Sequence, residues 1–240
     1  MFGNSKVNEN FIDFIDPTSG KGISGHMNLS CDFDQMKRDL LVIYDNKVER
    51  WLQAMDLYDH EITEHTLRVT ALSLKLAEGL GFSQTELIYI QYGTLLHDIG
   101  KLGIPEKIMQ KPGKLTPYEY QVIKNHPVYA HEWLINQSDY QPAKVIPLFH
   151  HERWDGGGYP YGLKGEEIPI LARVVAVVDV WDALTSDRPY RQAMSAARAV
   201  EIITSESEKQ FDPDIVKMFL KLGIHESQRV AWRFPVSVNI

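Results

Sequence analysis

The chain has a single cysteine, Cys31, in a polar N-terminal stretch. One thiol cannot form an internal disulfide framework, and its solitude fits a reducing compartment. Long hydrophobic runs are missing too. The longest, Val174–Val178, falls far short of a membrane span and sits inside an amphipathic segment. Residues 1–14 hold Asn4, Asn8, Glu9 and Asn10 and no apolar stretch of the kind a secretory signal needs. Positive charge is in short supply, with 25 Lys and Arg against 32 Asp and Glu and a formal net charge of −7. No broad basic surface is therefore available for DNA or anionic membranes, and an anionic ligand must be captured by local charge. These absences lead us to expect a soluble cytoplasmic protein that binds neither DNA nor membrane.

β-Signals and internal repeats are also scarce; what the chain does have is helical pattern. Of its 240 residues, 1–33 read as a flexible tail punctuated by Pro17, Gly20, Gly22 and Gly25. From 34 to 58 a helical extension is expected, with Leu40, Leu41, Ile43, Val48, Trp51, Leu52 and Met55 toward one face. It is suited to pack on the domain, to pair with a copy of itself, or to connect to an upstream sensor. A bundle follows over 59–223, and 224–240 form a C-terminal tail. Within the bundle, Leu67, Ala71, Leu74 and Ala77 mark a helix over 61–80, and Ser83 caps another reaching about His97. Thr116-Pro117-Tyr118-Glu119 is a capping box with proline at the first helical position, opening a helix expected to reach His126-Pro127. Further helices are expected over 128–136, up to His150-His151, over 170–184, over 195–210, and over 212–222 with Asp212 as the cap. The fold class is all-α.

Five of the nine histidines fall into one ordered set with acids: Glu61, His65, His97-Asp98, His126, His150-His151 and Asp179. Imidazole and carboxylate are natural ligands of iron, manganese and zinc. Eight groups exceed what one four-coordinate zinc needs and suit two or three ions with shared ligands. Glu61 and His65 are four apart, so a helix points both from one face. Asp179 lies in an apolar helix, where an ionised carboxylate is costly unless paired or metal-bound. Asp182 shares its face. A lone histidine on an apolar helix is more often a core residue than a ligand, but the joint pattern is not explained that way; His26, His60, His131 and His225 have no such company and are read as structural or exposed. A glycine-rich loop, Trp154 to Leu163, follows the histidine pair, its glycines able to admit a ligand to the backbone and Tyr159 offering a ring for a base. Lys101, Arg188 and Arg191 are the cations placed to meet a phosphodiester.

The segments His97-Asp98-Ile99-Gly100-Lys101, His150 through Pro160, and Ile168 through Arg191 resemble, in order, the signature of the HD-GYP family of metal-dependent phosphohydrolases. The resemblance spans about 59–222. It implies an all-α HD-domain helical bundle, a centre of two or three divalent ions (iron or manganese foremost), and hydrolysis of cyclic di-GMP to pGpG and on to GMP by a metal-bridging hydroxide. By position, His65, His97, Asp98 and Asp179 would hold one ion. Asp98 would bridge to a second, held by His126, His150 and His151, and Glu61 matches the carboxylate of trinuclear members. Asp98 and Lys101 would act in catalysis. Lys101, Tyr159, Asp182, Arg188 and Arg191 would meet substrate, with Asp182 open to either a substrate-facing or a supporting role. The family also implies an upstream sensor or a diguanylate cyclase as partner, and the N-terminal helix offers a homodimer contact. Two readings compete: a cyclic di-GMP-sensing module with little turnover, and a hydrolase of 3′,3′-cyclic GMP-AMP.

Overall fold

A computed structural model describes residues 46–135, 142–187 and 192–226. Among them the regular elements are helices: α1 (Asn46–Tyr58), α2 (His60–Leu80), α3 (Gln84–Leu95), α4 (Glu106–Met109), α5 (Pro117–Ile123), α6 (His126–Leu134), α7 (Val145–Phe149), α8 (Ile170–Thr185), α9 (Ala196–Ser205) and α10 (Pro213–Lys221). A 3-10 turn over Ile99–Gly103 joins α3 to the segment before α4. Extended pairing is limited to an isolated bridge between Ser207 and Phe211. The all-α expectation holds.

Local chemistry sets the helix ends. Asp59 caps α2 by accepting from Glu61 N, and Gly81 closes it in the left-handed region, with φ of 83°. Ser83 with Glu86 and Thr116 with Glu119 form capping boxes at α3 and α5, and Asp212 caps α10 ahead of Pro213. Three boundaries differ from the sequence pattern. Helix α3 stops at Leu95, so His97 and Asp98 lie beyond its end. The helix expected to run from Pro117 through His126 is two: Pro127 has no N–H to offer Ile123, and its ring crowds that carbonyl, so the ladder breaks and α6 starts afresh at His126. Helix α9 ends at Ser205 rather than 210, because the chain turns there through Glu208 in the left-handed region, with φ of 66°.

Helix α2 packs on α3 and α8, and α7, α9 and α10 fill in around them. Leu67, Ala71, Leu74 and Ala77 are buried as the spacing required, together with Val174, Val175, Val177 and Val178 of α8. Burying such side chains contributes roughly 1.5–3 kcal/mol each for the larger ones, offset by their ordering. The described part of the N-terminal helix belongs to this core. Val48, Leu52 and Met55 are buried, Trp51 stacks on Trp133, and the Tyr58 hydroxyl donates to Ile104 O at 2.8 Å. Of the three roles open to that helix, packing on the domain is the one this face performs, and the same face is not available for a homodimer. Residues 1–45 and 227–240, with most of both expected tails, lie outside the described residues, as do Arg188 and Arg191. No described helix is long and apolar enough to cross a membrane.

Candidate metal centre

Five elements converge on one buried point. Helix α2 contributes His65, the end of α3 contributes His97 and Asp98, the start of α6 His126, the end of α7 His150 and His151, and the middle of α8 Asp179. Gly100 allows the approach: a Cβ there would meet His126 O at 1.9 Å, so only glycine lets the 3-10 turn lie against the start of α6. His65, His97, Asp98, His126 and His150 are all nearly inaccessible to solvent.

The side chains form two groups that share one carboxylate. His65, His97 and Asp98 bring ligand atoms within 4.8 Å of one another, and so do Asp98, His126, His150 and His151. Asp98 Oδ2 lies 3.3 Å from His97 Nε2, while Oδ1 lies 3.4 Å from His126 Nε2 and 3.9 Å from His150 Nε2. Asp179 borders the first group without belonging to it, its Oδ1 3.0 Å from His65 Nε2. Glu61 precedes His65 by one turn of α2 but falls outside both groups.

The tautomers are set from behind. His97 Nδ1 donates to Thr94 O at 2.6 Å, His126 Nδ1 to Ile123 O at 2.8 Å, and His150 Nδ1 to Pro147 O at 3.0 Å. All three carbonyls lie at helix ends, where the backbone ladder leaves acceptors over. Ile123 O is the carbonyl that Pro127 cannot use. With Nδ1 so engaged, each Nε2 turns bare toward the centre, the arrangement that metal-ligating histidines favour. His65 is held by Asp182, whose Oδ2 accepts from His65 Nδ1 at 2.7 Å.

Buried polar atoms nearly always have a hydrogen-bond partner. Here His97 Nε2 and Asp98 Oδ1, both buried, have none. Together with the nitrogen and oxygen donor set, these orphaned atoms fit divalent cations of the first transition row. The charges agree. Burial alone would raise Asp98, but Lys101 and His97 outweigh it and hold its carboxyl well below the usual range. Burial likewise opposes ionisation of Asp179, yet the hydrogen bond and charge of His65 keep it ionised. Burial pushes His126 down to about 3 and His151 down to about 4, so both are neutral near pH 7. His65 goes the other way: burial would lower it, and the hydrogen bonds of Asp179 and Asp182 more than reverse this.

Two expected substrate groups are engaged elsewhere. Asp182 is buried, and besides His65 it accepts from Arg68 Nε at 2.6 Å and Nη2 at 3.0 Å. Both its oxygens are taken, so of its two expected roles the geometry fits the supporting one. Tyr159 stacks on His151, centroids 4.8 Å apart and planes 28° from parallel, and Lys124 Nζ lies 4.9 Å from its ring centroid. The ring expected to receive a base already meets a site histidine and a cation. Lys101 Nζ contacts Asp98 Oδ2 at 2.5 Å, and its side chain is 21% exposed, leaving donors at the rim.

The glycine-rich loop serves its own packing. A Cβ on Gly158 would meet Arg153 N at 2.4 Å and Glu152 Cα at 2.5 Å, so this glycine admits the chain itself rather than a ligand. Buried Glu152 accepts from the backbone N–H groups of Tyr161, Gly162 and Leu163 at 2.8–3.1 Å and ties the loop beneath the centre. Glu152 and Arg68 escaped the sequence reading. Arg68 was findable: it follows His65 by three residues, as Asp182 follows Asp179, so two one-turn pairs face each other across α2 and α8. Glu152 carried no comparable signal.

The sequence matches the family model of the HD domain over residues 51–215. The chain belongs to the HD-domain family, in its HD-GYP branch. A cyclic di-GMP phosphodiesterase of Thermotoga maritima is 46% identical over 166 residues, covering 68% of this chain and 45% of that protein. The cyclic di-GMP phosphodiesterase response regulator RpfG of Xanthomonas campestris is 40% identical over 192 residues, or 79% of this chain and 50% of that one. The 3′3′-cGAMP-specific phosphodiesterase 2 of Vibrio cholerae is 34% identical over 199 residues, 82% of this chain and 37% of its own. The chain thus spans half or less of the length of these curated relatives. Bd1817, an HD-GYP-type protein of Bdellovibrio bacteriovorus, shares the fold of this HD-GYP chain with a TM-score of 0.59 at 18% identity, covering 79% of this chain and 69% of its own.

Proposed function

We propose that this chain is a metal-dependent phosphodiesterase that opens cyclic di-GMP to pGpG and cleaves it further to GMP. The observation that carries this reading is Asp98: one buried carboxylate presents an oxygen to each of two ligand groups, and the histidines around it turn bare Nε2 atoms inward. On this reading His65, His97, Asp98 and Asp179 hold one ion and Asp98, His126, His150 and His151 a second, iron or manganese. Glu61, one turn from His65, is the ligand for a third. Divalent ions in such a site supply Lewis acidity toward a phosphodiester and acidify water near neutral pH.

The chain's own groups do the rest. Asp98, kept ionised by Lys101, holds the two halves of the centre in register. Lys101, with exposed donors, meets the developing negative charge on a phosphoryl oxygen, and Asp182 and Arg68 fix the ring plane of His65. Arg188 and Arg191 follow α8 closely in sequence and are proposed as further phosphate contacts. Residues 59–223 form the catalytic unit, with α1 packed on it.

A second reading shares the chemistry and changes the base: hydrolysis of 3′,3′-cyclic GMP-AMP, favoured by the Vibrio cholerae relative that covers most of this chain. The test is to purify the protein, measure bound metals by mass spectrometry, and follow both dinucleotides by chromatography. The proposal expects at least two ions per chain and faster conversion of cyclic di-GMP. Metal-loaded protein that binds cyclic di-GMP without cleaving it would sink the enzymatic reading in favour of a sensing module.

A further inference from the structure

The cations around the centre differ in whether their charge is spent. Arg68 is committed to Asp182, Arg173 to Asp212, Lys111 to Glu119, and Arg153 to Asp155 and Glu206, while Lys101 pairs with Asp98 and keeps donors at the rim. Lys124 is different. It caps the end of α5 two residues before His126, and it makes no ion pair among the described residues. Its ammonium is held instead by two aromatic rings, 5.1 Å from the Tyr120 centroid and 4.9 Å from the Tyr159 centroid. Cation–π contacts fix a lysine in place without cancelling its charge. Tyr159 in turn stacks on His151, one of the ligand histidines. The ammonium therefore stands within 4.9 and 4.8 Å, laid end to end, of a metal-ligand ring. A surface lysine with no task would sample many rotamers in water; this one is built in.

We infer that Lys124 is a further phosphate-binding group, which holds the phosphodiester that is not being cut. The inference rests on the cyclic-dinucleotide reading above. Such a substrate carries two phosphodiesters on one small ring, so when one is at the ions the other lies beside it and needs its own counter-charge. Lys101 is assigned to the phosphoryl group at the ions, Arg188 and Arg191 lie outside the described residues, and the chain's net charge of −7 offers no general attraction. Lys124 supplies that charge, and Tyr120, half exposed on the same helix, walls the subsite. Tyr159 then positions both His151 and Lys124 instead of stacking on a base.

The experiment compares two substrates that differ in the number of phosphates. Lys124→Gln removes the charge while leaving a polar, somewhat shorter side chain, and Lys124→Arg keeps the charge. Each is assayed with the wild type on cyclic di-GMP and on bis(4-nitrophenyl) phosphate, which has one phosphodiester, with metal content measured alongside. Lys124→Gln is expected to raise KM for cyclic di-GMP by roughly tenfold or more, the loss of one charge-assisted hydrogen bond. kcat, metal content and cleavage of the single diester should stay at wild-type values, and Lys124→Arg should restore most of the binding. Equal losses on both substrates, or lost metal, would make Lys124 a prop for Tyr159 and His151 and overturn the inference. So would an unchanged KM for cyclic di-GMP. A wild type that cleaves the single diester but neither dinucleotide overturns the substrate reading, and this inference with it.

Discussion

Asp182→Asn removes a charge and an acceptor from a junction where both are in use. The carboxylate accepts three charge-assisted hydrogen bonds, from His65 Nδ1 at 2.7 Å and from Arg68 at 2.6 and 3.0 Å. An amide has one oxygen and one NH2. If its oxygen faces His65, the NH2 points at Arg68 Nε; if it turns over, a donor faces His65 and Arg68 Nη2 together. Breaking a buried ion pair by removing one partner costs about 3–5 kcal/mol. Arg68 is 27% exposed in its side chain and has Glu64 at 3.7 Å, so the lower end, about 3 kcal/mol of stability in the metal-free protein, is expected. The effect on metal should be one-sided. Loss of a group that orients a ligand histidine typically weakens metal affinity about 10–100-fold. His126 and His150 are held by backbone carbonyls and do not depend on Asp182. A chelator titration followed by metal analysis should therefore show one ion leaving early and the other at its wild-type concentration, with urea denaturation reporting the stability loss. Two ions weakened equally, or neither, would refute the role given to Asp182.

Glu61→Ala should lower the metal stoichiometry by one ion per chain while cleavage persists, as read by mass spectrometry on folded protein; unchanged stoichiometry returns Glu61 to a helix-terminal carboxylate. Gly100→Ala places a Cβ 1.9 Å from His126 O, a backbone atom that cannot swing aside, so metal content and melting temperature should fall together. A melting temperature within a degree or two of wild type, on the order of measurement error, would show that the turn can shift cheaply. Acid should destabilise the metal-free protein. Folding pushes His126 from 6.5 down to about 3 and His151 down to about 4, so as the pH falls below 6.5 the unfolded chain takes up protons that the folded one refuses. Each such histidine removes about 1.4 kcal/mol per pH unit until its folded value is reached. His65, raised by its acids, acts oppositely and loses its contribution as the pH rises. Urea titrations from pH 7 to 4 should show this slope, and His126→Gln should flatten it by one histidine's share; an unchanged slope would count against a neutral buried His126.

Much of this was legible because it is local. Helix existence follows from apolar spacing and caps, which involve residues within a turn or two of one another, and Ser83, Thr116 and Asp212 act as their types predict. The candidate ligands stood out for a chemical reason: imidazoles and carboxylates in such number along apolar helices are too costly to be core packing. What the local pattern could not show was an interruption by a single residue or a contact with a distant partner. Pro127 split one expected helix. Tyr159 and Asp182 looked suited to substrate because sequence reveals a group's chemistry without showing what already occupies it.

The sequence by itself determined the helical class, the caps, the inventory of candidate ligands and the shortage of positive charge, all of which depend on residue type and near spacing. Only the tertiary structure decided that Asp98 serves both ligand groups, that Asp182 stands behind His65, that α1 belongs to the core, and that Lys124 rests between two rings. Each of these turns on at least one contact between residues far apart in the chain, set by how whole helices pack. Side chains that share no helix face or turn leave no periodic trace, and only the folded chain brings them within a hydrogen bond of one another.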